Sequence, residues 1–294
     1  MEEYSMAQVE LLTGISAHKL RMWERRYTFL KPMRSPTNIR FYSDQQLKKL
    51  INVGILNRNG FRISKIDKMS TLEVFENVTE ILSNISEENS DEINALVLYM
   101  FELNEVAFNK VFQRSIMRKG FLSTITEIIY PFLNQIGILW SNNKLMIAQE
   151  HFISNLVRQK IISAIETLPS PQENAPSIVF FLEKNEDHEL GLLLGSFIAK
   201  DLGWKVFYLG QRVPYENIKT VVEMVEPALL MTLITSPLKD SQIKTFSNFF
   251  NTIDIPLLLS GNVQQLEENV LLKNKIIIPN PDALTQYLND FRKN

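Results

Sequence analysis

The sequence predicts a multidomain α + α/β protein, and three patterns along the chain support that class. Residues 1–69 carry thirteen Lys and Arg against six Asp and Glu, a net of +7 that leaves −9 on the rest of a chain whose formal charge is −2. Residues 70–168 repeat apolar positions at helical spacing. From residue 177 onward, short β-branched runs alternate with helical stretches, as in a parallel sheet covered on both faces. With 294 residues, 45% hydrophobic and 22% charged, the chain has length for two or three domains and an ordinary globular composition. A basic head on an acidic body suggests a polyanion at one end and a different task at the other.

Several chemistries are excluded at once. The chain has no cysteine, which removes disulfides, thiolate nucleophiles, iron–sulfur clusters and thiolate metal sites. Only His18, His151 and His188 offer an imidazole. The longest apolar runs, such as 228–234, are far too short to span a bilayer. MEEYSMAQ lacks a basic-then-apolar signal, so the expectation is a cytoplasmic protein with no membrane partner.

In the head, Ser5 and Gln8 form an S-x-x-Q capping box ahead of residues 6–12, and Ser43 with Gln46 repeats it before 47–56. Between them, Thr13-Gly14-Ile15-Ser16 reads as a tight turn, with Gly14 free to take positive φ and Ser16 able to cap a helix over 16–27. Helix, short turn, helix is the helix-turn-helix arrangement. The second helix carries Lys19, Arg21, Arg25 and Arg26, and Leu20, Met22, Trp23 and Tyr27 include the residues that would pack it. Arginine in a major groove pairs bidentately with guanine or grips phosphate. From charge alone, a solvated basic helix in a protein-interaction domain is the alternative. Pro32, Pro36 and Asn38 then force an extended excursion over 31–42.

In the middle, Ser70 with Glu73 gives a third capping box, Ser90 and Asn104 are N-cap candidates, and Gly120 punctuates. Helical spacing covers 93–101, 106–116, 122–140 and 145–165, with Pro131 kinking or restarting the third stretch. Short connections favour an antiparallel, four-helix-type bundle. PSPQENAP at 169–176 reads as a linker, so the expected domains are 1–70, 71–168 and 177–294.

In the last segment, strands are predicted over 177–183, 205–210, 228–234, 255–260 and 275–279. Helices follow over 189–201, 215–225, 240–250, 263–270 and 281–291. This pattern suits a C-terminal flavodoxin-like (Rossmann-like) five-stranded parallel sheet, whose ligand crevice lies at the carboxyl ends of the strands. His188 falls there, in Glu186-Asp187-His188-Glu189-Leu190-Gly191. Glu186 is spaced to accept the ring N–H and make the other nitrogen a better metal donor, and Gly191 lets a large planar ligand approach the backbone. A helix-capping surface histidine among acids is the plainer alternative. Taken alone, Trp140 reads as a bundle core residue and Glu150 as a solvated charge.

Arg21-Met-Trp23-Glu24-Arg25-Arg26-Tyr27, followed by Pro32, Arg34, Arg40 and Tyr42-Ser-Asp44, closely resembles the N-terminal winged helix-turn-helix of MerR-family regulators over residues 4–70. The resemblance implies a recognition helix from Ser16, a wing around Arg34 to Arg40, and a dimer on two-fold double-stranded operator DNA. Asn38 stands where the family commonly has glycine, and asparagine also tolerates a left-handed turn. The metal- and redox-sensing branches need cysteines, so the signal here is something else.

Glu186-x-His188-x-x-Gly191 resembles the D-x-H-x-x-G motif of cobalamin-binding domains, with glutamate for aspartate. The resemblance implies His188 as the lower cobalt ligand. The family's S-x-L motif, lining the pocket for the nucleotide tail, matches Ser236-Pro237-Leu238, and its later glycine pair is half present as Ser260-Gly261, where Ser260 should narrow the pocket. Trp140 followed by Glu150-His151 resembles the W-x9-E-H signature of the bundle that caps cobalamin. It implies that Trp140 fills space above the ring, Glu150 accepts hydrogen bonds from an adenosyl group, and Ile147 lies near both. His151 completes the signature.

The three segments together look like the CarH/LitR class of light-responsive cobalamin regulators. The resemblance implies adenosylcobalamin as cofactor, methylcobalamin as the alternative form, and a homo-oligomer running from dimer to tetramer that represses in the dark. Many members capture the exposed cobalt with a histidine immediately after the tryptophan, a position that is Ser141 here. Two further readings stand beside this one: a light-independent corrinoid sensor or cofactor-free regulator, and a corrinoid methyltransferase subunit. The last has no reason to carry a helix-turn-helix, so the chain is expected not to be an enzyme.

Overall fold

The computed structural model describes residues 3–35, 37–83, 89–141, 147–184, 186–235, 240–261 and 272–293, and divides the chain into two compact units, Met1–Leu156 and Val157–Asn294. The first unit opens with β1 (Glu3–Ser5), α1 (Met6–Thr13), α2 (Ala17–Arg26), β2 (Met33–Arg34), β3 (Arg40–Ser43) and α3 (Asp44–Arg58). Ser5 with Gln8 and Ser43 with Gln46 close reciprocal capping boxes that start α1 and α3. Gly14, at φ 68°, ends α1, and the Ser16 hydroxyl accepts the Lys19 N–H to start α2. The three strands pair antiparallel in the order β1-β3-β2, with Asn38 at φ 64° in the turn between β2 and β3. β1 carries no sequence signal, because three residues are too few to show alternation.

Helices α4 (Ile63–Ile66), α5 (Thr71–Ser83), α6 (Asn89–Phe101) and α7 (Glu105–Lys119) follow. Ser90 falls inside α6 rather than at its cap, where its carbonyl accepts a hydrogen bond from the Asn94 side chain at 2.7 Å. Asn104 caps α7 by accepting the Ala107 N–H. Beyond α8 (Phe121–Thr124), the turn Ile125–Ile129 widens to a π-helix before α9 (Tyr130–Ser141). Pro131 has no N–H to give and its ring crowds the preceding carbonyls, so the helix restarts beside it at Tyr130 after a widened turn. α10 (Ile147–Glu166) runs from the first unit into the second.

α6 is buried on nearly every face and ties the head to the helical layer. Asp91, 3% exposed, accepts from Arg58 Nε at 2.8 Å and Asn59 Nδ2 at 2.6 Å. Arg58 Nη1 in turn donates to the Thr13 carbonyl at 3.0 Å, at the turn between α1 and α2.

The second unit alternates β4 (Ser177–Glu183), α11 (Leu190–Asp201), β5 (Lys205–Val213), α12 (Tyr215–Val225), β6 (Leu229–Ile234), α13 (Asp240–Phe250), β7 (Leu257–Gly261), β8 (Lys275–Ile277) and α14 (Pro281–Phe291). All neighbours are parallel, in the order β5-β4-β6-β7-β8. That is the flavodoxin-like order, with β4 at the point where the winding reverses. The helix expected over 263–270 lies outside the described residues. Ile218 of α12 and Ile243, Phe246 and Phe250 of α13 pack with Val179, Phe181 and Leu259 of the strands. On α11, a Cβ at Gly195 would come within 2.9 Å of the Phe180 ring and 3.3 Å of the Met231 side chain, so a missing side chain sets the close seat of this helix.

β5 runs to Val213, past its expected end at Gly210, by breaking register with β4: Phe180 pairs with Tyr208, Phe181 with Gly210 and Glu183 with Val213. Gly210 and Arg212 take φ values of 78° and 55° to absorb the irregularity.

Two substitutions test these contacts. At Gly261, φ is 92° and a Cβ would lie 2.5 Å from the Ile234 carbonyl oxygen. Gly261→Ala should therefore lower stability by about 2 kcal/mol; an unchanged urea midpoint would mean that the end of β7 can shift. Asp91→Ala strands the Arg58 charge, and should cost about 3 kcal/mol in urea unfolding of the chain.

Candidate nucleic-acid interface and cofactor site

The α2 helix buries Leu20 and Trp23 and exposes Lys19, Arg21, Arg25 and Arg26. Asp67 fixes the chain leaving it: one carboxylate oxygen accepts from the Thr28 N–H, the Thr28 hydroxyl and the Phe29 N–H, each at 3.0 Å. Arg34 and Arg40 are held differently from the four basic residues on α2. Glu24 accepts from Arg34 Nη2 and from Arg40 Nε, both at 2.6 Å, and Arg34 Nη1 also donates to Asn38 at 2.7 Å. Two of the six basic residues singled out in the sequence thus staple the β2–β3 hairpin to the helix. Burial alone would raise the Glu24 carboxyl, but the hydrogen bonds and charges of Arg40 and Arg34 outweigh it and hold the group below its ordinary range.

His18 is exposed in the first turn of α2, three residues before Arg21 and seven before Arg25, so all three lie along one face.

Among the residues of the W-x9-E-H pattern, Trp140 lies on α9, and its side chain is outside the described residues. Ile147 opens α10 with 65% of its surface exposed. Glu150 is already engaged: one oxygen accepts from the Ser154 hydroxyl at 2.5 Å and the other lies 2.7 Å from Nδ1 of the exposed His151.

The second unit places its histidine on the loop between β4 and α11. The chain turns back as Glu186 N–H donates to the Glu183 carbonyl at 3.0 Å, and Glu186 itself is 2% exposed. Its Oε1 accepts the N–H groups of Asp187 and His188, each at 3.1 Å, and lies 2.6 Å from His188 Nδ1. Its Oε2 accepts the Thr235 N–H at 2.8 Å, just past the end of β6. A carboxylate only accepts, so Nδ1 carries the ring proton and Nε2 is the nitrogen with a lone pair to give. The His188 side chain is 58% exposed.

The flanks of this loop are held as well. Glu189 accepts from Tyr208 at 3.1 Å and pairs with Arg158. Burial, with the Glu189 charge beside it, pushes the Tyr208 phenol up. Asp187 faces Arg212, whose hydrogen bonds hold its carboxyl below the usual range. Gly191 sits in the first turn of α11, and Ser260 and Gly261 end β7 beside Leu233 and Ile234 of β6. Ser236 and Leu238 lie outside the described residues.

The MerR HTH regulatory protein family matches residues 4–72, and the B12-binding domain family matches residues 92–163. The chain joins a MerR-type helix-turn-helix to a B12-binding domain. Two transcriptional repressors of Myxococcus xanthus are homologous to it. CarH is 29% identical over 222 residues, covering 74% of this chain and 73% of CarH; CarA is 27% identical over 218 residues, covering 74% and 71%. The fold is shared with the monomethylamine corrinoid protein of Methanosarcina barkeri, at a TM-score of 0.54 and 12% identity over 69% of this chain and 100% of that one. Among the described residues, no helix is long and apolar enough to cross a membrane.

In the MerR-type head, the lowered Glu24 value sets the sign of a pH effect. A depressed folded value means that the tie to Arg34 and Arg40 is complete above the ordinary carboxyl value of 4.5 and is lost as pH falls below it. Amide exchange at Asn38 and Ile39 should therefore quicken between pH 5 and pH 3 by about ten-fold relative to the α3 amides. Glu24→Gln should show that faster exchange already at pH 7. Wing exchange unchanged by the substitution would remove Glu24 from this role.

Proposed function

We propose that this chain is a DNA-binding transcriptional regulator, acting as a repressor, whose hold on a cytoplasmic operator is set by bound cobalamin. The observation that carries the reading is the buried Glu186 carboxylate fixing His188 Nδ1 at 2.6 Å, on the same chain as a MerR-type head. The residues present fit a cobalt corrinoid. They offer one imidazole backed by a buried carboxylate, on an exposed loop at the carboxyl end of the sheet.

His188 Nε2 is assigned as the lower cobalt ligand, with Glu186 orienting the ring and Gly191 admitting the planar ligand to the backbone. Ser236, Leu238, Ser260 and Gly261 are assigned to the nucleotide tail. Trp140, Ile147, Glu150 and His151 are assigned to the upper ligand. Bound adenosylcobalamin supplies a light-labile cobalt–carbon bond, and methylcobalamin is the smaller alternative. Lys19, Arg21, Arg25 and Arg26 reach double-stranded operator DNA, while Arg34 and Arg40 shape the wing through Glu24. In a homo-oligomer running from dimer to tetramer, several heads on one operator raise each other's effective concentration, so loss of assembly weakens DNA binding steeply. The functional segments are 1–70, 71–168 and 177–294.

Ser141 and Ser260 favour a second reading, in which the corrinoid acts as an ordinary ligand without light. That form requires tighter cofactor binding by one assembly state, because equal binding shifts nothing.

The test is the visible spectrum of protein mixed with adenosylcobalamin in the dark and then desalted. The wild type should retain a corrin band, and His188→Ala should retain at least about ten-fold less, as loss of the axial donor requires. Arg25→Ala should weaken operator binding by about ten-fold and leave the band intact. Green light should release operator DNA from the wild type. Retained cofactor with light-independent DNA binding would select the second reading, and a colourless wild type would defeat both corrinoid assignments.

A further inference from the structure

At the irregular end of β5, Val213 still pairs with Glu183 of β4 and joins the core, while the side chains of Gln211 and Arg212 turn to the histidine loop. Arg212 adopts φ 55°, a left-handed conformation that costs any residue with a side chain and persists where surrounding contacts over-determine it. The side-chain bonds of Arg212 run to the histidine loop. Arg212 Nε and Nη2 donate to the two oxygens of Asp187 at 2.5 and 2.7 Å, a two-pronged pair. Gln211, next to it, donates through its side-chain amide to the Asp187 carbonyl. Asp187 is the residue between Glu186 and His188. Its pair with Arg212 is exposed on both sides, 68% and 52%, so it contributes little to overall stability. What a two-pronged pair supplies is orientation.

The loop is therefore held from two sides. Glu186 binds it to the end of β6 through Thr235, and Asp187 binds it to the end of β5 through Arg212 and Gln211. We infer that Arg212 is a positioning residue for His188, its left-handed backbone serving to bring the guanidinium onto Asp187 so that the imidazole is presented in one orientation. This inference rests on the assignment of His188 as the cobalt ligand.

The test uses the full chain as wild type, Arg212→Ala, Arg212→Lys and His188→Ala. The first measurement is hydrogen exchange of the loop amides 187–189 without cofactor. The second is the electron paramagnetic resonance spectrum with cob(II)inamide, which lacks a nucleotide base, so that nitrogen splitting on cobalt comes from the protein. The wild type should show splitting from one nitrogen, and His188→Ala none. Arg212→Ala should keep the wild-type urea midpoint, exchange its loop amides at least about five-fold faster, and lose most of the nitrogen-split signal. Arg212→Lys keeps the charge without the fork and should resemble Arg212→Ala.

Wild-type exchange and splitting in Arg212→Ala would overturn the positioning role, and wild-type behaviour in Arg212→Lys would overturn the requirement for the fork. Faster exchange in Arg212→Ala with unchanged splitting would show that the clamp orders the loop without serving the ligand, which also overturns the inference. Absence of nitrogen splitting in the wild type would instead overturn the His188 assignment, and the positioning role with it.

Discussion

The carboxylate of Glu186 is removed almost entirely from water, and burial of that group is costly unless donors replace its hydration. Three backbone N–H groups and an imidazole do so, and each donor fixes something different. The N–H groups of Asp187 and His188 set the course of the loop, Nδ1 sets the plane and tautomer of the ring, and Thr235 sets the loop against the next strand. Removing this one group would release all three at once. One oxygen of Glu186 stays with its own loop while the other reaches the backbone beyond β6, so the histidine is referenced to the ends of both β4 and β6.

The head uses acids in the same manner. Glu24, Asp67 and Asp91 accept seven hydrogen bonds between them, all from residues of the same unit. In a segment with a net charge of +7, these carboxylates are structural ties, and that changes how the basic residues should be counted. Arg34, Arg40 and Arg58 are occupied with Glu24 and Asp91, whereas Lys19, Arg21, Arg25 and Arg26 stand exposed on α2. The basicity of the head thus divides into arginines that build its shape and a helix face that presents charge.

The sheet was legible because buried parallel strands are nearly continuous β-branched or aromatic runs, and the helices between them begin at punctuating residues. Tyr215–Val225 and Pro281–Phe291 are bounded by Pro214 and by Asn280, which caps the last helix, and the sequence placed those boundaries where the structure has them. The head was legible through its capping boxes, which are local and leave a fixed spacing. What remained hidden is pairing across long separations. The bonds from Asp67 to Thr28 span 39 residues and those from Asp187 to Arg212 span 25, and neither leaves a periodic trace. The extension of β5 was hidden for the same reason: a strand predicted from its own residues ends at Gly210, and the next three are accounted for by the shifted pairing of Val213 with Glu183 and by the bonds of Gln211 and Arg212 to Asp187. Ser90 failed in the opposite sense, as a good cap residue taken into a helix interior.

Regulation of such a chain requires that a ligand favour one arrangement over another, by no more than its difference in affinity for the two. The contacts of α6 bear on which arrangements are available to the head. Asp91 holds Arg58, and Arg58 reaches the Thr13 carbonyl at the turn between the first two helices, so the segment that aims α2 is bonded to the helical layer through one guanidinium. Tyr4 adds an edge-on contact with Phe101 at the other end of α6, at 6.1 Å. The head is thus tied near both ends of one buried helix, so a displacement of α6 would be felt at the turn that leads into α2.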